Sequence, residues 1–269
     1  MRAAAIQMTS GRDVQENLAE ARRLIRIAAD QGARLVVLPE NFAFLGATDA
    51  ERMAVVEPFE RGPAQVFLAE QAEAAQIWLV GGTIPIRDGS DRACSRSLLF
   101  GPDGRYVAHY DKIHLFDVDV PGREEERYRE SATTLAGTRV VTAATREARI
   151  GMTVCYDIRF PALFHRLSVE GTDILVVPAA FTVPTGRVHW QPLLQARAIE
   201  STVFVVAAGQ WGEHAGGRKT YGHSMIIGPW GEILARQDEG PGVVCADLDM
   251  IGLAQLRKTF PVLQHRREL

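Results

Sequence analysis

Two distant stretches of this chain carry nearly the same letters. Ser97-Leu-Leu-Phe-Gly-Pro-Asp-Gly104 matches Ser224-Met-Ile-Ile-Gly-Pro-Trp-Gly231, and Leu35-Val-Val-Leu-Pro39 resembles Ile174-Leu-Val-Val-Pro178. The order of elements around these strings repeats as well. The first half reads as a strand at 3–8 and a helix opened by the Asp13/Glu16 capping spacing, with Leu18, Ala21, Ile25 and Ala28 on its apolar face. A strand at 35–39, a helix over 63–75, a strand over 77–86 and a hairpin over 95–110 around Pro-Asp-Gly follow. The second half gives a strand at 148–155, a helix opened by Pro161, a strand at 173–181, a helix marked by Trp190, Leu193, Leu194 and Ala198, a strand at 202–209 and a hairpin over 221–237.

A chain that repeats in this way builds two similar sheets. The β-branched runs at 35–39 and 174–178 suit strands buried on both faces. Helices would cover the outer face of each sheet, and the sheets would pack on each other. The expected architecture is therefore α/β, a four-layer α-β-β-α sandwich in one domain spanning 1–269. A single doubly wound sheet is the alternative. The charged segment 120–131 reads as a solvated loop between the halves rather than a linker, and the chain from about Thr259 reads as a surface arm, a candidate contact for a partner subunit.

Composition narrows the function. With 30 Lys+Arg against 33 Asp+Glu, the formal charge is −3, so no net positive field favours nucleic acid. The apolar stretch Ile174 to Phe181 is too short to cross a bilayer. The N-terminal segment turns polar at Gln7 and Thr9, too early for a secretory signal, and reads as a strand. Cys94, Cys155 and Cys245 form no C-x-x-C pair and a disulfide framework is not expected, so a reducing cytoplasm, where thiols stay available, is the simplest compartment.

In α/β sheets, functional groups gather beyond the carboxyl ends of strands. Glu40 follows the 35–39 strand, Lys112 follows the strand ending near Tyr110, and Cys155 ends the 148–155 strand. Each alone has an ordinary reading: a buried small apolar thiol, a helix-start carboxylate, a surface ammonium. Together they have mechanistic logic. A thiol needs a base to become a nucleophile, and the oxyanion formed on attack needs a cation and N–H donors. Metal chemistry has less support, because His109 and His114 are not in a ligand spacing and no H-E-x-x-H occurs. His223 as a Cys partner is a further alternative.

The strings LPENF around Glu40, YDKIHLFD around Lys112 and GMTVCYDIRFP around Cys155 resemble those of the nitrilase superfamily, the carbon–nitrogen hydrolases. That resemblance covers the whole chain in order. It implies Glu40 as general base, Lys112 as oxyanion stabiliser and Cys155 as nucleophile. Glu130, in YRES, takes the place of a second acid holding Lys112, and the Tyr156 backbone N–H that of an oxyanion donor. It also implies the αββα sandwich, a homodimer, a small-molecule amide substrate, a thioester intermediate and no cofactor. One departure is Ala162 in RFPAL, where relatives often have Glu.

The strings at 179–190, 193–200 and 217–231 resemble the branch that hydrolyses deaminated glutathione, a metabolite-repair activity. An ω-amidase acting on 2-oxoglutaramate, or on another small amide or nitrile, is the alternative; a non-catalytic binding protein on the same fold is a third. A carboxylated substrate calls for cations, and Arg159, Arg187, Arg218 and Lys219 are candidates by proximity. Phe181, Thr182 and Trp190 are candidates for shaping the pocket, and Arg197 reads as a structural, paired arginine.

Overall fold

The computed structural model describes residues 1–120 and 127–267. The strand Arg2–Gln7 pairs in parallel with Leu35–Val37, and that strand with Trp78–Val80. Ala93–Phe100 joins Trp78–Val80 antiparallel and carries the hairpin partner Tyr106–Asp111. The second sheet repeats this order with Arg149–Met152, Ile174–Ala179, Phe204–Gly209, Met225–Ile227 and Ile233–Arg236.

Period-two alternation sorts the first sheet's side chains. Ala3, Ala5, Leu35 and Val37 enter one core with residues of the second sheet, including Ile150 and Val176. Ala4, Ile6, Val36 and Leu38 turn the other way, onto Leu18, Leu24 and Ile25 of the helix Val14–Asp30 and Phe67 and Leu68 of the helix Pro63–Ala75. The helices Pro161–Val169 and Gln191–Ser201 bury Leu163, Phe164, Leu194 and Ala198 against the second sheet. The four layers expected from the repeat are present. Asp13 caps the first helix by accepting from the N–H groups of Gln15 and Glu16.

Each half lends its last strand to an outer edge of the other half's sheet. Thr142–Ala144, after the first hairpin, pairs antiparallel with Arg149–Met152. Gly242–Asp247, after the second hairpin, returns to pair antiparallel with Arg2–Gln7. The N-terminal amine of Met1 then donates to the Leu248 carbonyl at 3.0 Å, and the Leu248 N–H to Met1 at 2.7 Å. Periodicity did not reveal this return strand, nor the helix Met250–Thr259 after it.

Three expected elements differ in detail. The 77–86 strand breaks into Trp78–Val80 and Ile84–Arg87. Gly82 lies between them at φ +49°, where an added Cβ would stand 1.9 Å from the Pro39 carbonyl oxygen. The 148–155 strand ends at Met152, and Cys155 opens a short 3-10 turn, Cys155–Arg159. The helix marked by Trp190 begins earlier, at Val183, and contains a wide turn over Gly186–Trp190. Such π-type turns recur at functional sites.

The acidic run Glu124–Glu126 lies outside the described residues. The tail folds as a short turn, Val262–His265, and Arg266 then bonds the Ser168 hydroxyl and the Glu200 carbonyl of its own chain.

The close approach at Gly82 gives a first prediction. Gly82→Ala should lower stability by more than about 2 kcal/mol, because the new Cβ must displace backbone rather than a flexible side chain. The urea midpoint of the variant checks this; a midpoint equal to wild type would mean that the segment before Glu40 yields freely.

Candidate active site

The site is assembled from segments that leave the ends of strands in both sheets. Glu40 stands just beyond Leu35–Val37, and its backbone is fixed on both sides. The next N–H, of Asn41, donates to Thr83 Oγ1 at 3.0 Å, and Gln210 Nε2 donates to the Glu40 carbonyl at 3.1 Å. Lys112 leaves Tyr106–Asp111 with its N–H on the Ser95 carbonyl at 3.1 Å. Its Nζ donates to Glu40 Oε1 at 2.8 Å and to Glu130 Oε2 at 2.8 Å. Glu130 Oε2 also accepts the Phe116 N–H at 2.7 Å, and Glu40 Oε2 accepts the Ala180 N–H at 2.8 Å. Lys112 and Glu40 are buried, with side chains 2% and 5% exposed.

Cys155 adopts φ +46°, a left-handed conformation that costs a side-chain-bearing residue free energy. What holds it there is Asp157, which is fully buried. One Asp157 oxygen accepts the Val154 N–H at 2.9 Å and the Tyr110 hydroxyl at 2.7 Å. The other faces the His114 N–H at 3.1 Å and His114 Nδ1 at 2.7 Å. A single carboxylate therefore ties the Cys155 turn to the segment that carries Lys112. Glu40 and Lys112 are close enough to the Cys155 thiol for their charges to act on it.

These contacts set the protonation states. Burial pushes the Cys155 thiol well above its usual 9.0, and the neighbouring Glu40 charge adds to this against the pull of Lys112. Burial alone would raise Glu40 as well, but the charge and hydrogen bond of Lys112, helped by the neighbouring thiol and the charge of Arg218, hold it below its usual 4.5. Burial works against the Lys112 ammonium, yet the charges of Glu130 and Glu40 keep it above its usual 10.5. The resting site thus holds a neutral thiol beside an ionised base and a charged ammonium.

The sign of the stability effect follows. Glu40, depressed on folding, contributes stability that is complete above pH 4.5 and lost as pH falls through its lower folded value. Lys112, raised on folding, contributes stability that is complete below pH 10.5 and lost as pH rises through its higher folded value. The gap in urea midpoint between wild type and Glu40→Gln should be constant between those limits and close beyond them. A gap that closes near neutrality would contradict the pairing.

Glu40, Lys112, Glu130 and Cys155 open together onto a pocket of about 710 Å³, within the size range of small-molecule sites. Tyr156, Phe181 and Thr182 line it as well. Arg159 does not: its guanidinium lies over the Tyr156 and Phe181 rings at 5.7 and 5.1 Å, outside the pocket wall. Arg187 is exposed on the wide helical turn and is corrected as a pocket residue, because that turn carries it to solvent. Lys219 is also outside, paired with Glu213 at 3.2 Å, whereas Arg218 lines the pocket. Trp190 is buried behind Phe181, and Arg197 bonds the Ile158 carbonyl and Glu200, the structural role expected of it.

Sequence reasoning missed Arg52, Arg127 and Arg129 as pocket residues, and Asp157 as the brace of the cysteine turn. Asp157 had a visible signal, an acid two positions after the thiol. The arginines had none, since loop placement decides which guanidiniums face inward. His223 binds the Tyr221 carbonyl and stacks on the Tyr221 ring, away from the pocket wall. Among the described residues, no group of three or more His, Cys, Asp or Glu is placed to hold a metal ion, and no helix is long and apolar enough to cross a membrane.

A buried thiol, a carboxylate and an ammonium thus meet on one pocket of small-molecule size. Residues 2–258 match the carbon–nitrogen hydrolase family, and the chain belongs to it. It is 45% identical to a deaminated glutathione amidase of Synechocystis, over 98% of this chain and 97% of that one. Among solved structures it resembles the C. elegans NitFhit protein, with a TM-score of 0.90 and 37% identity over 99% of this chain; the chain spans 65% of that longer protein. It also resembles a mutant of an amidase from Nesterenkonia sp. AN1, with a TM-score of 0.80 and 27% identity over 97% and 99% of the two chains. In that amidase acrylamide is added covalently at the active-site cysteine.

Proposed function

We propose that this chain is a thiol amidase whose substrate is deaminated glutathione, hydrolysed through a Cys155 thioester. The observation that carries the reading is the contact array itself, in which one ammonium bridges Glu40 and Glu130 and the Cys155 thiol opens onto the same pocket beside them. Glu40 takes the thiol proton as sulfur attacks the amide carbon. The carbonyl electron pair moves to oxygen, where the Lys112 ammonium and the Tyr156 N–H oppose the charge. The Tyr156 N–H lies at the start of the 3-10 turn, where donors lack partners within the turn.

Collapse of the tetrahedral adduct breaks the C–N bond, and protonated Glu40 gives its proton to the departing amine. Water then attacks the thioester as Glu40 takes its proton. Sulfur leaves, recovers a proton from Glu40, and the acid product departs. Glu130 holds Lys112 in place throughout. The substrate assignment is supported by the likeness to amidases of that name along nearly the whole chain. A homodimer in a reducing cytoplasm belongs to the same reading, and the three free cysteines suit it.

A substrate panel tests it. Deaminated glutathione should be turned over with a higher kcat/KM than 2-oxoglutaramate or simple aliphatic amides. Equal or faster turnover of 2-oxoglutaramate would move the assignment to the ω-amidase reading.

A further inference from the structure

The pocket contains positive charge that the chemistry above does not use. Lys112 is held between two carboxylates and is assigned to the reacting oxygen, so a second anionic group on the substrate needs another cation. Arg129 is paired with Asp119 at 2.8 Å. Arg52 and Arg218 differ. Arg52 lines the pocket, and its Nη1 is buried without a hydrogen-bond partner among the described residues. Arg218 donates from Nη2 to the Ala180 carbonyl at 3.2 Å and lies over the Tyr128 ring at 5.3 Å, while its Nε is buried without a partner.

Two other arginines that this chain draws inward are held by several acceptors. Arg96 grips Asp111 with two bonds of 2.7 and 2.8 Å. Arg257 bonds Asp173 and the carbonyls of Thr172 and Thr202. A guanidinium N–H taken out of water without an acceptor is costly, so one such group on each of two half-buried arginines of the pocket wall favours an anionic ligand there.

The two arginines also belong to adjoining arms. Arg52 sits on the short helix Asp49–Ala54, whose cap, Thr48, accepts the Glu51 N–H at 3.2 Å. Arg218 follows the turn Ala215–Gly217, and an added Cβ on Gly216 would stand 2.7 Å from the Ala47 Cβ. The turn before Arg218 therefore packs on the loop before Arg52. Arg218 also reaches the reacting end, since Ala180 bonds Arg218 through its carbonyl and Glu40 through its N–H.

We propose that Arg52 and Arg218 form a carboxylate subsite that selects amides bearing a carboxylate away from the scissile bond. The planar fork of a guanidinium matches the two oxygens of a carboxylate, which a lysine would not do. The inference rests on the amidase reading for the reacting end of the substrate, but the subsite can be tested without turnover.

Glutarate, a dicarboxylate with no amide, and its neutral diamide are each tested for protection of Cys155 against iodoacetamide, read by intact mass on the full chain. Glutarate should protect wild type and the diamide should not. In Arg52→Gln and Arg218→Gln, the concentration giving half protection should rise tenfold or more. In turnover, the ratio of kcat/KM for a carboxylated amide to that for a neutral amide of equal length should fall tenfold or more, mainly through KM.

Equal protection by glutarate and the diamide in wild type would overturn the proposal, and that arm needs no variant to fold. So would protection by inorganic phosphate as strong as that by glutarate, or variants that keep both wild-type ratios. A chain that turns over no amide yet is protected by glutarate through these arginines would defeat the amidase reading and leave the subsite standing.

Discussion

Cys155→Ala should abolish amide turnover, by about 10⁴-fold or more, while the protein stays folded. The side chain lost is small and sits at a turn held by others. Asp157 still binds the Val154 N–H, the Tyr110 hydroxyl and His114, and none of these contacts passes through sulfur. Alanine carries the same penalty at φ +46° as cysteine does, so the strain is unchanged. The stability change should be within about 1 kcal/mol, read as a urea midpoint, with turnover followed by ammonia or amine release. Cys94 provides the contrast. Burial and nearby Asp111 push its thiol up to about 11, and it lies away from the carboxylate base, so Cys94→Ala should keep turnover. Loss of the fold in Cys155→Ala would instead make the thiol a packing residue.

Lys112→Met should do the opposite to stability. The replacement fills similar space but removes the ammonium shared by Glu40 and Glu130, leaving two carboxylates facing each other in a buried site. Breaking a buried pair from one side typically costs about 3–5 kcal/mol, and the loss should be of that order here. Turnover should fall at least about 10³-fold, because the oxyanion loses its cation. The defect should also depend on pH in a set direction. Without the ammonium, Glu40 has burial to raise its pKa and little to lower it, so folding favours its protonated form. The stability gap to wild type should then narrow as pH falls toward 4.5, where the variant regains stability by keeping Glu40 protonated, and narrow further below 4.5, where wild type loses the Glu40–Lys112 pair. A gap that stays constant in acid would mean that the lysine stabilises by packing alone.

Much of the molecule was legible before any coordinates. The repeated strings located both sheets because strands buried on two faces must be continuous apolar runs, and the helix expected over 63–75 is present as Pro63–Ala75. Glu40, Lys112, Glu130 and Cys155 were legible through their surrounding strings, and they do meet on one pocket. What was not legible depended on long-range contact. The break at Gly82 comes from the Pro39 carbonyl pressing on a backbone with no side chain, which no periodicity encodes. Arg187 and Arg52 look alike as letters; a wide helical turn carries one to solvent, and a loop packed on a distant turn brings the other inward. The strand Gly242–Asp247 escaped notice because its partner stands at the opposite end of the chain.

That last pairing has a consequence for synthesis. While the final segment is still being translated, Arg2–Gln7 presents an open row of amide and carbonyl groups, a template for the wrong neighbour. The base and the ammonium leave the sheet that this strand completes, so catalytic competence should arrive only after residue 247 has emerged from the ribosome. A chain cut just before that point would keep the Arg2–Gln7 edge open to a foreign strand.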